Sequence, residues 1–140
     1  MHLFEIDDSR YIDSPFDLDE APGEFQDEFR ARLGRTVGGE GARFLYEYDF
    51  GDCWRHEIEL EKILPAVQEE TYPKLIAGER ACPPEDCGGV VGYANFLEEI
   101  GDENHPGHER SLEWVGGYFD PERFDGDGVN WILKRFSEIK

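Results

Sequence analysis

The stretch Arg43 to Glu61, RFLYEYDFGDCWRHEIELE, constrains the fold more tightly than any other part of the chain. Phe44, Tyr46, Tyr48 and Phe50 recur with period two, and so do Trp54, His56, Ile58 and Leu60. Alternation of this kind gives a strand one apolar face. The break Gly51-Asp52-Cys53 between the two runs marks a reversal, so the stretch predicts a β-hairpin. Aromatic and β-branched side chains suit the pleated surface. Glu47, Asp49, Arg55, Glu57, Glu59 and Glu61 fall on the other face, which is expected to be wet.

The remaining pattern supplies one more sheet component and several helices. His2 to Ile6 reads as a strand, Asp7-Asp8-Ser9 as a turn, and Tyr11-Ile12 as the start of a return strand. Residues 13–28 are acidic and broken by Pro15, Pro22 and Gly23, so a mobile acidic loop is expected there. Phe25, Phe29 and Leu33 lie four apart, which predicts a short helix over Glu24 to Leu33. Tyr93, Phe96, Leu97 and Ile100 predict a helix over Gly92 to Ile100. A further short helix is expected over His108 to Val115, ended by Gly116-Gly117. The last helix is expected over Val129 to Ile139, with Asp127 as its amino-terminal cap. At 140 residues the simplest organisation is a single domain over 1–140. Strands first and helices later predict an α+β fold: an antiparallel sheet built around a central hairpin, covered on one face by short helices.

The formal net charge of -19 narrows the partners. Such a surface repels nucleic-acid phosphate and anionic lipid, so direct nucleic-acid binding is not expected. No apolar run approaches the roughly 18 residues of a spanning helix, and the start MHLFEIDD lacks signal-peptide character. A cytoplasmic protein is the expectation. Acidic residues run along the whole chain and only four lysines are present, a pattern that fits adaptation to high salt. The odd count of three cysteines, Cys53, Cys82 and Cys87, suits a reducing compartment.

Several groups of residues carry candidate chemistry. His56 beside Asp49 and Asp52 could act as a general base, although a packed histidine bonded to backbone is the simpler reading. Cys82, Cys87, His105 and His108 offer a Cys/His set for zinc, with C-x4-C and H-x2-H separated by seventeen residues. A packed thiol pair is the simpler alternative. Asp49, Asp52, Glu85, Asp86 and Asp120 could gather around Mg or Ca, but 33 acidic residues make chance clustering easy. The loop from Arg80 through Glu85, Asp86, Gly88 and Gly89 to Tyr93 is a candidate ligand loop; Asp86 is expected to fix it by accepting backbone N–H groups.

The strings YEYDFGDCWRHEIELEKIL, GERACPPEDCGGVVGYANFLE, His105-Pro106 and FDPERFDGDGVN occur in an order that resembles the plasmid pRiA4b ORF-3-like family. The resemblance runs from about His2 to Phe136. It implies a small α+β fold, a mobile-element association and no established biochemical activity. In that family an additional strand and helix precede the part resembled here, so the resemblance also implies a truncated member. A sheet edge or face would then be exposed, and a homodimer or a protein partner is expected to cover it. Three functions follow in order of preference: a non-enzymatic interaction or scaffold module, a metal-assisted hydrolase or nuclease-like activity around His56 and the Cys82–Gly89 loop, and an acidic DNA-mimicking regulator.

Overall fold

A computed structural model of the chain describes residues 1–13 and 24–138. The chain divides into two compact units, Met1–Leu64 with Gly88–Val90, and Pro65–Cys87 with Val91–Lys140. Strands and helices together make an α+β fold.

The first unit is a five-stranded sheet. Its strands are β1 (His2–Ile6), β2 (Ser9–Ile12), β3 (Phe25–Asp27), β4 (Arg43–Tyr48) and β5 (Trp54–Glu59). Their order is β3-β2-β1-β4-β5. The hairpin β4–β5 therefore lies at one side of the sheet, and β1 occupies the middle. β1 is antiparallel to both β2 and β4, whereas β2 and β3 run parallel. Asp7 makes the β1–β2 reversal at a positive φ of 52°, a conformation that aspartate tolerates better than most residues.

The predicted alternation sets the core. Phe44 faces Ile58 and Tyr46 faces His56 across the hairpin, while Phe4 faces both Tyr46 and Tyr11. Ile6, Val37 and Phe44 are buried together, with Phe4, Tyr11, Ala42, Ile58 and Leu60 packed against them. Val37 arrives from α1 (Leu33–Thr36), a single helical turn.

The helix expected over Glu24 to Leu33 does not form. Phe25–Asp27 instead pairs with β2, and a short 3-10 turn covers Glu28–Arg30. The stripe that suggested a helix is not a buried one: Phe29 is 81% exposed and Leu33 63%. Long-range pairing has overridden a local spacing signal. Strand β3 also corrects the carboxy-terminal end of the acidic loop expected at 13–28; residues 14–23 of that loop lie outside the described residues.

The second unit contains most of α2 (Gly89–Gly101), together with α3 (His108–Trp114) and α4 (Gly126–Glu138). Phe96 is its buried centre, meeting Trp114 and Phe119 edge-on at 5.7 and 5.2 Å. Glu99 fastens α2 to α3: its carboxylate accepts from the Ser111 hydroxyl, and its carbonyl accepts from His108 Nδ1 at 3.0 Å. A Cβ on Gly107 would lie 2.7 Å from that carboxylate, so a side chain there would push the Glu99 carboxylate aside. The cap of α4 is Asp125, which accepts the Gly128 N–H at 2.9 Å, and not the expected Asp127. Asn130 ties α4 to the distant segment around Leu75 through two bonds to the Leu75 backbone, at 2.8 and 3.0 Å. Among the described residues no helix is long and apolar enough to cross a membrane.

Each unit thus has its own aromatic anchor. Phe44→Ala and Phe96→Ala should each lower stability by about 3–5 kcal/mol, the usual cost of emptying a buried phenylalanine site. Urea unfolding reads this directly, and a variant that keeps the parent midpoint would contradict the assigned core.

Candidate functional site

The hairpin turn brings together one subset of the predicted residues. Asp49 and Cys53 adopt positive φ, 56° and 54°, to reverse the chain. Asp49 Oδ1 accepts the Gly51 N–H at 2.9 Å, and the Cys53 thiol donates to the Phe50 carbonyl at 3.2 Å. Asp52 Oδ2 reaches 36 residues along the chain to accept the Gly88 N–H at 3.1 Å. Gly89 lies against the same turn: a Cβ there would sit 2.3 Å from the Asp52 carbonyl oxygen, at a φ of +66°. Only glycine meets both demands. The loop's backbone N–H is therefore held by Asp52, not by Asp86 as expected.

His56 does not join these carboxylates. Its Nδ1 donates to the Tyr46 carbonyl at 3.2 Å, its ring packs 5.5 Å from that of Tyr46, and the residue is exposed. This is the simpler of the two readings of His56, a packed ring bonded to backbone, and not the general base, although the residue is exposed where half-burial was expected. A pair that the sequence reading missed lies on the same face: His2 Nε2 and Glu28 Oε2 are 2.8 Å apart, and both side chains are largely buried. Burial, and secondarily the Glu28 charge, pushes the Tyr46 phenol up from its ordinary range. The only signal for this pair was His2 sharing the period of Phe4 and Ile6.

The other candidates belong to the second unit. Arg80, at a positive φ of 66°, pairs with Glu122 at 3.5 Å on the surface. Glu85 and Asp86 form an exposed turn. Tyr93 stacks on Phe96 and meets Phe119 edge-on; burial first, then the Cys87 charge, pushes its phenol up. Cys82 is exposed, Cys87 is half-buried, and neither is in a disulfide. His105 Nδ1 accepts the Gly107 N–H at 3.1 Å, and His108 is committed to Glu99. Among the described residues no group of three or more His, Cys, Asp or Glu side chains gathers to hold a metal. Cys82, Cys87, His105 and His108 therefore do not gather as the candidate zinc set, and the candidate acidic Mg or Ca set does not converge.

The first unit also carries an apolar concave surface. By strand alternation it lies on the sheet face opposite the Ile6–Phe44 core. It is a groove of about 550 Å³ whose apolar lining comes from Met1, Leu3, Ile12, Phe25, Leu45 and Phe50. Charged lining residues are paired: Arg10 with Glu5 at 3.3 Å, and Arg55 with Glu47 at 2.8 Å. The face expected to be wet is thus half apolar, because Leu3 and Leu45 interrupt its charged rows.

The Asp52 anchor has a direct check. Asp52→Ala should speed hydrogen exchange at the Gly88 amide and cost about 1 kcal/mol, the usual net worth of one hydrogen bond. Asp86→Ala should leave that amide unchanged. Equal effects from both variants would contradict the assignment.

Comparison with known proteins gives three results. The family described as plasmid pRiA4b ORF-3-like protein matches residues 1–128. The uncharacterized protein y4hQ of Sinorhizobium fredii is 43% identical over 118 residues, covering 82% of this chain and 59% of its own length. The chain thus spans less than two thirds of that relative. The crystal structure of a protein of unknown function, MM3350 from Methanosarcina mazei Go1, shares the fold with a TM-score of 0.77 and 34% identity, covering 91% of this chain and 71% of that one. The order of the hairpin, the Cys82–Gly89 loop and the helices therefore has a family origin: the chain belongs to the plasmid pRiA4b ORF-3-like family.

Proposed function

We propose that this chain is a non-enzymatic interaction module, and that its working surface is the Leu3/Leu45 groove of the first unit. The observation that carries this reading is the groove itself: an apolar floor with paired charges at its side, on a chain of net charge -19. The occupant that fits is a cationic protein segment with apolar anchors. The apolar floor supplies contact area, and the overall field draws in positive charge and slows the approach of a second acidic copy.

The groups that a hydrolytic centre would use have other duties. His56 is bonded to Tyr46, and Asp49 and Asp52 each accept a backbone N–H. The DNA-mimic alternative asks for an uninterrupted acidic ridge. Along the hairpin, Arg43 sits between Glu57 and Glu59, and Arg55 sits beside Glu47.

A photoreactive amino acid replacing Leu45 should cross-link a discrete protein in cells through a net positive segment. Leu3→Asp in the same chain should remove that adduct. Cross-linking that is absent, or that survives Leu3→Asp, would count against the groove as the working surface.

A further inference from the structure

We infer that the outer edge of β5 binds an extended protein strand in which charged and apolar residues alternate, in the order cation, apolar, cation, apolar, acid. This rests on the interaction-module reading and names the partner's chemistry. The edge adjoins the groove, because Arg55 both lines the groove and lies on β5.

The register of the hairpin decides which residues face outward. In an antiparallel ladder, residues alternate between bonding the neighbour and turning their N–H and C=O groups away. The Leu60 N–H donates to the Ala42 carbonyl at 2.9 Å, so Ile58, His56 and Trp54 turn their main chain toward β4. A second bond gives the same result. The Asp49 N–H donates to the Met1 carbonyl at 2.9 Å, so Glu47 and Leu45 turn toward β1, leaving Tyr48, Tyr46 and Phe44 to bond β5. It follows that Arg55, Glu57 and Glu59 direct their main-chain groups away from the sheet. Among the described residues β5 pairs with β4 and with no other strand, so these groups form an edge that a further strand can extend.

The side chains of the same three residues set the preference. They project on one face, and those of Arg55 and Glu57 are 71% and 62% exposed. Arg43 alone serves both Glu57, at 2.9 Å, and Glu59, at 2.7 Å, which leaves the pair net negative. An antiparallel strand would set its side chains directly opposite these positions. Cations would meet Glu59 and then Glu57, and an acid would meet Arg55. The two residues between would turn to the other face, beside Ile58 and His56. A second copy of this chain matches less well: Arg55 would meet Glu59, but Glu57 would meet Glu57, with a net charge of -19 on each copy.

The probe is a blocked peptide containing Lys-Val-Lys-Val-Glu, titrated into the full chain and followed by NMR. Saturable shifts and slowed exchange at the Arg55, Glu57 and Glu59 amides are expected. The charge-reversed peptide Glu-Val-Glu-Val-Lys should bind at least about tenfold more weakly, because all three opposite-charge pairs become like-charge pairs. Glu57→Pro removes an outward N–H without touching a β4 bond, and should abolish saturation. Should that variant fail to fold, the double variant Glu57→Lys, Glu59→Lys provides the check by reversing the peptide preference. Binding that is indifferent to all these changes but lost in Leu45→Asp would overturn the edge and leave the groove reading standing. An unliganded chain already dimeric through protected Glu57 and Glu59 amides would overturn it in favour of self-pairing.

Discussion

Burial of Phe44 against Ile6 and Val37 is the interaction on which the first unit depends. These three residues come from β4, β1 and the segment after α1, so a single cluster fixes the middle of the sheet and the chain that crosses it. A sheet gains stability through side-chain pairs on one face, and here the pairs around Phe44 are apolar or aromatic. Phe4 and Tyr46 approach to 4.8 Å, extending the cluster toward His2 and Glu28. Because that face is occupied, Leu3, Leu45 and Ile12 fall on the opposite one and line the groove. The apolar groove is a consequence of two-sided patterning, not of a separate element.

Acidity in this chain has a structural share. Asp27, Asp49, Asp52, Asp102, Asp120 and Asp125 each accept a backbone N–H from a nearby or distant residue. These carboxylates end turns and begin helices, where a short acceptor side chain satisfies donors that the backbone leaves open. Bonds from Asn104 hold the Asp102 carboxyl below its ordinary value. Other acids are matched to cations along the hairpin. Hydrogen bonds from neutral N–H groups leave these carboxylates ionised, so the net charge of -19 still sets the long-range field, and the pattern around β5 is one place where it is locally unbalanced.

Period-two and helical spacing made much of this fold legible. The hairpin, the strand at His2–Ile6 and the helices α2 and α3 stand where alternation or the i, i+3, i+4 pattern put them. Local spacing misled at Phe25, Phe29 and Leu33, where a parallel pairing with β2 decided the conformation. It was silent on strand order, so the hairpin read as central although β1 takes that place. The candidate site suffered more, because its links are long-range. Nothing local in Asp52 announces a bond to Gly88, and nothing in His2 announces Glu28. The zinc set looked plausible on spacing alone, but His108 joins α3 to α2 and His105 holds the turn before α3.

Recognition at the β5 edge depends on which of its backbone groups face outward. Residue-resolved hydrogen exchange on the unliganded chain measures this most directly. The prediction is alternating protection: slow exchange at His56 and Ile58, whose N–H groups bond β4, and fast exchange at Arg55, Glu57 and Glu59. Uniform protection along Arg55 to Glu59, or protection in the opposite phase, would contradict the open edge and the recognition built on it.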